Sequence, residues 1–150
     1  MKNVLLIVVA MSFLAIAGET SARAQVTDPI VSDIPFGFTV RDTAFPAGEY
    51  TIKRIASVNP GVVQIRSADG TQKMVFLVGS AQANKIPDQT RLIFDRVGDQ
   101  YFLSEIFEAG NDAGVGLMKS HTERKLEKEG ANVEANSVVV TGQTGINARR

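Results

Sequence analysis

Short segments that alternate apolar and polar side chains, separated by turn residues, run through residues 34–107 and constrain the fold more than any other feature. In the first of them, Ile34–Val40, every second side chain from Ile34 onward is apolar. That period of two is typical of a strand with one buried face. Glycine, proline and aspartate mark turns between the segments, as in Phe45–Gly48. About six or seven strands spaced by about 8–12 residues predict an all-β fold, either an antiparallel β-sandwich or a small barrel.

Two hairpins are predicted in the middle of the chain. The dipeptide Asp69–Gly70 joins the strands Val62–Ser67 and Gln72–Gly79, and Asp-Gly is a strong signal for a tight hairpin turn. A second tight turn, Gly98–Asp99, joins the next two strands in the same way. Because Gln72–Gly79 is apolar on both faces, it is predicted to lie centrally in the sheet.

One short helix is predicted near residues 120–129. Ser120 and Glu123 have the spacing of a capping box, so a helix is expected over Thr122–Glu129, ended by Gly130. Its only strongly apolar residue is Leu126, which predicts a helix on the surface of the domain.

Glycine-rich and valine-rich stretches lie on either side of this helix. The stretch Ala109–Gly116 contains three glycines and predicts a loop. The segment Ser137–Thr141 contains three consecutive valines and predicts a last strand, followed by a flexible tail over residues 142–150.

Residues 1–24 have the pattern of a secretory signal peptide. Lys2 supplies a basic start, and the apolar run Val4–Gly18 is shorter than the about 20 residues of a membrane-spanning helix. Small residues at Ala22 and Ala24 predict cleavage between Ala24 and Gln25. The chain is therefore expected to be exported to the periplasm or the extracellular space, with no membrane insertion after the signal is removed.

The expected domain organisation follows from these boundaries. An N-terminal extended segment over residues 25–33 precedes a single β domain over residues 34–141, which includes the helix. The chain has no cysteine, so disulfides, thiol catalysis and thiolate metal sites are excluded. Its 16 basic and 16 acidic residues balance, which argues against nucleic acid as a partner.

Two runs resemble a group of small exported bacterial proteins that is itself uncharacterised. They are Ile34–Val40 (IPFGFTV) and Phe45–Ile52 (FPAGEYTI), and the group's pattern is F-x-F-x-V, a short polar gap, then L/F-P-A-G-x-Y-x-V. Asp99–Ser104 and the charged stretch Lys119–Glu129 fit the same group in the same order. The resemblance covers roughly residues 31–129 and implies export. Its motifs are turn and core motifs, so it assigns no catalytic or binding residue.

The residues offer little for catalysis. A Ser/His/Asp mechanism would have to use His121, the only histidine, which lies beside Ser120 at the start of the predicted helix, where a cap explains both residues. Paired carboxylates for glycoside hydrolysis could come from Glu105 with Asp95 or Asp99, but no spacing fixes their separation. A hydrolase is therefore kept only as a low-ranked alternative, and no catalytic residue is assigned.

Metal and phosphate sites are similarly weak. One histidine without cysteine argues against zinc. The loop residues Glu108, Asn111 and Asp112 could offer oxygens to calcium, but their spacing does not match a calcium-binding loop. The run Gly114–Ser120 departs from a phosphate-binding loop because Met118 stands where the glycine before lysine is needed. No cofactor is expected.

Sugar binding is the first alternative. Such sites present exposed aromatic rings, and the rings that the alternation does not place in the core are Tyr50, Tyr101 and Phe102. These three are the possible ligand contacts, although core packing also explains them.

The favoured interpretation is a non-enzymatic β domain that contacts a protein or an envelope component. Edge strands are natural sites for strand addition, and Ile34–Val40, which contains Pro35, is the predicted edge. The charged helix is a second possible contact surface. The specific partner and the oligomeric state are left open.

Overall fold

The computed structural model describes residues 29–55 and 61–144, except for the side chains of residues 136 and 137. The signal peptide predicted over residues 1–24, with its cleavage site at Ala24 and Gln25, lies outside the described residues. The described residues form one helix and the strands β1 (Ile30–Ile34), β2 (Phe38–Val40), β3 (Thr43–Phe45), β4 (Gly48–Arg54), β5 (Val62–Ser67), β6 (Lys73–Leu77), β7 (Gly79–Gln82), β8 (Thr90–Val97), β9 (Gln100–Phe107), β10 (Ala113–Gly116) and β11 (Val133–Thr144). The helix, α1, spans His121–Lys128.

The strands form a single open sheet in the order β3-β2-β9-β8-β11-β1-β4-β5-β6, with β10 paired to β9 and β7 paired to β10. All pairs are antiparallel except the short contact of β2 with β9, where Thr39 lies opposite Phe102. The mostly β fold with one short helix is confirmed. The predicted count of six or seven strands is not, because the described residues contain eleven.

The sheet curls through the long strand β11, which connects its two halves. Most of β11 pairs with β8, and its last residues, Gln143 and Thr144, pair with β1. The two halves bury one shared core, in which Ile34, Ile65 and Phe94 are completely buried. Because burial of apolar surface is the main favourable term in folding, this shared core stabilises the curled arrangement.

The locally predicted turns are confirmed. The Asp69–Gly70 turn joins β5 and β6, and the Gly98–Asp99 turn joins β8 and β9. Gly70 has a φ of 74° and Gly98 a φ of 62°, the left-handed region in which glycine is not strained. Helix α1 also matches its prediction: Ser120 is the N-cap, the capping box with Glu123 is complete, and Gly130 follows with a φ of 86°.

Two C-terminal predictions are corrected. The glycine-rich stretch Ala109–Gly116 is a loop only in its first half, because Ala113–Gly116 forms β10 between β7 and β9. The predicted tail does not begin at residue 142, since β11 continues to Thr144 and pairs with β1. Gly142 allows this close approach, because a Cβ atom there would lie 2.6 Å from Ile30 Cγ2.

The β2–β3 turn holds the start of helix α1 in place. The carboxylate of Asp42 accepts hydrogen bonds from the Thr122 backbone N–H at 2.9 Å and its hydroxyl at 3.0 Å. These bonds, the backbone one above all, lower the pKa of Asp42. Arg41, the preceding residue, donates to the Met118 carbonyl at 3.0 Å. The helix is thus fixed over the sheet by residues about 80 positions earlier in the chain.

Candidate functional site

The predicted edge strand is wrong, because Ile34–Val40 lies inside the sheet. Ile34 ends β1, which has β11 on one side and β4 on the other. Phe38–Val40 forms β2, which lies between β3 and β9. Strands therefore lie on both sides of this segment, and on one side they are more than 60 residues away in sequence: β11 beside β1 and β9 beside β2.

The strand β6 is a free edge instead, which also corrects the prediction that Gln72–Gly79 lies centrally. β6 ends the strand order, and among the described residues it pairs only with β5. The Ser67 N–H donates to the Gln72 carbonyl at 2.9 Å, and the Val78 N–H donates to the Gly61 carbonyl at 2.8 Å. Because hydrogen-bonding direction alternates along an antiparallel strand, the backbone groups of Lys73, Val75 and Leu77 point away from β5. They form the unoccupied edge.

The side chains on this edge are unusually apolar. Val75 is 49% exposed and Leu77 is 60% exposed, whereas Phe76 between them is buried in the core. The other free edges lack this feature: β3 exposes Thr43 and Ala44, and β7 has the sequence GSAQ. Natural edges are normally blunted by charge or proline, and an exposed apolar edge is prone to pair with another strand.

Three cations lie on the outer face of the strands that lead to this edge. Lys53 on β4, Arg66 on β5 and Lys73 on β6 are all exposed, and we call them the basic band. Arg66 and Lys73 are directly opposite each other, and Lys53 lies opposite Gln64, which in turn lies opposite Val75. Among the described residues, none of the three forms an ion pair with a carboxylate. A shallow groove of about 410 Å³ lies along Lys53, Gln64 and Arg66.

The carboxylate nearest in sequence to Arg66 and Lys73 is that of Asp69, which accepts hydrogen bonds within the β5–β6 turn. Asp69 accepts hydrogen bonds from the Ser67 hydroxyl at 2.5 Å and from the Thr71 N–H at 3.0 Å, and these bonds lower its pKa. The Arg66 guanidinium lies against Gly70 in the same turn, where a Cβ atom would come within 2.8 Å of Arg66 Nη2. Glycine is favoured at position 70 mainly by its φ of 74°, since the flexible end of Arg66 could move aside.

The predicted exposure of the three aromatic rings is wrong for two of them. Tyr50 is 1% exposed and Phe102 is 2% exposed. The Tyr50 hydroxyl donates to the Pro46 carbonyl at 2.7 Å, which satisfies it within the turn. Tyr101 is half-buried, and its ring centroid lies 4.4 Å from that of Phe36. The alternation did not reveal this packing, because both faces of β9 are covered.

The histidine and the loop carboxylates have structural surroundings. His121 is exposed at the first position of α1, and its backbone N–H lies 3.4 Å from Asp42 Oδ2. Glu108 lies 3.8 Å from Arg54, and Asn111 caps the Ala113 N–H at 3.0 Å. Within the described residues, no group of three or more histidine or acidic side chains is arranged to hold a metal ion.

The acidic residues Asp95, Glu105 and Glu123 interact electrostatically beside helix α1. Burial raises the pKa of Glu105, and the charge of Asp95 raises it further. Burial also raises the pKa of Glu123, against the opposing effects of the Ser120 N–H and Lys119. Glu123 is 5% exposed, and its Oε2 accepts from the Ser120 N–H at 3.2 Å. Its carboxylate therefore serves the helix cap, while Lys119 pairs with Glu127.

Glu123→Gln is expected to raise the melting temperature at pH 7. A carboxyl group whose folded pKa lies above its ordinary value of 4.5 stabilises the fold when protonated, so this contribution is lost as the pH rises through the folded pKa. Glutamine keeps the acceptor for Ser120 and removes the charge. Thermal unfolding from pH 4 to pH 7 should show an advantage for Glu123→Gln that grows with pH. The unaltered protein is the reference at each pH, and an advantage that is constant with pH would contradict the prediction.

Comparison of the chain with protein-family models, with curated proteins and with solved structures gives no match. In the part of the chain that the structure describes, no helix is both long enough and apolar enough to cross a membrane. The free edge of β6 and the adjoining basic band are thus the features from which a function can be argued. Sequence reasoning missed them, because the apolar residues on both faces of Gln72–Gly79 predict a central strand.

Proposed function

We propose that this chain is an exported, non-enzymatic binding domain that adds an extended segment of a partner protein to the free edge of β6. The observation that carries the proposal is the coincidence, on one five-residue strand, of exposed apolar side chains with backbone groups that pair with no other described strand. Strand addition uses the backbone groups for affinity and the alternating side chains for specificity. The signal peptide pattern and the resemblance to small exported proteins support the export part of the proposal.

The curled sheet supports the sandwich interpretation over the closed barrel. Its two ends, β3 and β6, are not paired with each other. A closed barrel would have no edges, whereas an open sandwich keeps edges that a partner can use. The carbohydrate and hydrolase alternatives gain less support, because Tyr50 and Phe102 are buried and His121 lies at the first position of helix α1, where its backbone N–H faces Asp42.

Val75→Pro is expected to reduce capture of the partner by about tenfold relative to Val75→Ala. The Val75 N–H points to the open edge, so proline removes a donor to the partner without breaking a bond to β5, and proline is tolerated at edge strands. A net hydrogen bond of about 1 kcal/mol, with the added clash of the ring, gives an effect of this size. The measurement is quantitative capture from bacterial envelope extract by the two immobilised variants and the unaltered protein.

Val75→Ala is the matched control, since it shortens the same side chain and keeps the N–H. Circular dichroism and thermal unfolding would establish that both variants fold alike. Equal capture by Val75→Pro and Val75→Ala would contradict strand addition at β6. Retention on a purified polysaccharide fraction, lost in Tyr101→Ala, would instead favour the carbohydrate alternative.

A further inference from the structure

A strand bound along β6 would continue the outer face of the sheet. Its residues would alternate between the inner side, next to Met74 and Phe76, and the outer side, next to Lys73, Val75 and Leu77. On the outer side, each bound residue would form a cross-strand pair with one of those three residues. Such pairs contribute measurably to sheet stability, and their preferences therefore decide which segment fits.

The cations of the basic band favour an anion beside β6, because the exposed carboxylate of Glu49 lies further from this edge, on β4, two residues from the partner of Arg66. Arg66 and Lys73 are directly opposite across β5 and β6, and like charges in that position are destabilising. Lys53 adds a third positive charge on the neighbouring strand β4, two residues after Thr51, which lies opposite Arg66. Among the described residues, none of these three cations forms an ion pair with a carboxylate. A carboxylate placed beside Lys73 would relieve this repulsion.

The apolar residues constrain the other positions of the bound segment. Besides Lys73, the exposed side chains of β6 are Val75 and Leu77. Lys73, Val75 and Leu77 are spaced two residues apart and therefore share one face of the strand. Aliphatic or β-branched residues opposite them would remove both from water.

We propose that the segment recognised by β6 is acidic and apolar in alternation, with a carboxylate opposite Lys73 and aliphatic side chains opposite Val75 and Leu77. This inference rests on the proposed function and names the chemistry of its partner. In an antiparallel arrangement, the bound segment reads aliphatic, any residue, aliphatic, any residue, acidic from its N-terminus. Such a segment places a carboxylate beside the basic band, whose cations form no ion pair among the described residues.

A second copy of this chain fits the edge less well. Antiparallel pairing of two β6 strands about Val75 would place each Lys73 opposite the partner's Leu77. It would also join two basic bands on one continuous face without adding a carboxylate opposite either Lys73. Charge complementarity therefore favours an acidic segment of another protein.

The test uses two labelled synthetic peptides of nine residues and the full chain. From the N-terminus, both peptides carry valine, threonine, valine, threonine and one charged residue, and threonine fills the flanking positions. The two peptides differ only at the charged position, which is glutamate in one and lysine in the other. Fluorescence anisotropy should show the glutamate peptide binding about five- to tenfold more tightly, because an attractive cross-strand pair replaces a repulsive one. The preference should shrink between about 0.05 M and about 0.5 M salt, since exposed charges are screened.

Protein variants locate the effect. Lys73→Glu should reverse the preference between the two peptides, whereas Lys85→Glu, an equal charge change on an exposed loop residue, should leave it unaltered. Val75→Pro should weaken binding of the glutamate peptide, which places binding at the edge.

The outcomes separate this inference from the proposed function. Equal affinity for both peptides, or binding of neither, would overturn the acidic partner chemistry. If capture from envelope extract still falls in Val75→Pro, strand addition stands and only the partner chemistry has failed. If capture is equal in Val75→Pro and Val75→Ala, the proposed function fails as well. Association of the unaltered protein into dimers that Val75→Pro abolishes would replace the acidic partner with a second copy of the chain.

Discussion

Phe38→Ala is expected to lower the free energy of unfolding by about 3–5 kcal/mol. Phe38 is 3% exposed and lies at the centre of an aromatic cluster in the core. Its ring centroid is 5.4 Å from that of Phe45, 5.1 Å from that of Tyr50 and 5.5 Å from that of Phe94. Truncation would remove buried apolar surface and leave a cavity between rings that rigid strands hold apart. Chemical denaturation followed by circular dichroism measures the loss.

Phe38→Leu is the control for this substitution. Leucine retains most of the apolar volume, so its loss of stability should be clearly smaller than that of alanine. A loss below about 1 kcal/mol for Phe38→Ala would contradict the central position of this ring, because surface substitutions have effects of that size.

Gly114→Ala is expected to destabilise the fold by about 1–3 kcal/mol through overpacking. Gly114 lies on β10 against β9, and a Cβ atom there would overlap Phe107 Cδ1 and lie 2.6 Å from the Ile106 carbonyl oxygen. A backbone oxygen cannot rotate out of the way as a side-chain end can, so β10 would have to move away from β9. Thermal or chemical unfolding of the purified variant tests this.

The same strand supplies the matched control. A Cβ atom at Gly116 would have its nearest contact at 3.5 Å, with Ala81 Cβ, which is ordinary van der Waals distance. Gly116→Ala should therefore leave stability nearly unchanged, or raise it slightly by restricting the unfolded chain. Equal losses at both positions would show that the cost comes from glycine replacement in general and not from the contact with Phe107 and Ile106.

Gly114 and Gly116 show why the sequence did not predict strand β10. The run Ala109–Gly116 was predicted to be a loop because glycine is a weak strand residue. The structure places its second half in a strand, since the backbone of β10 approaches Phe107 too closely for a side chain. Composition reports the intrinsic preference of glycine, whereas this requirement arises from a neighbouring strand.

The edge that we propose as the binding surface was missed for a related reason. Periodicity tells which residues share a face, and it correctly separates Phe76 from Val75 and Leu77. It does not tell whether a strand has one neighbour or two. A strand that is apolar on both faces is usually central, so the predicted position was the opposite of the observed edge.

By itself the sequence determined the local structure of this protein: the alternating strands, the turns at Asp69–Gly70 and Gly98–Asp99, and the helix capped by Ser120. These depend on the conformational preferences and hydrogen bonds of residues a few positions apart. Only the tertiary structure decided which strands lie inside the sheet, that Tyr50 and Phe102 are buried, and that β6 has one neighbouring strand among the described residues and lies beside a band of cations. Those properties depend on pairings such as Ile30 with Thr144, whose free energy is realised only when distant parts of the chain pack around one core.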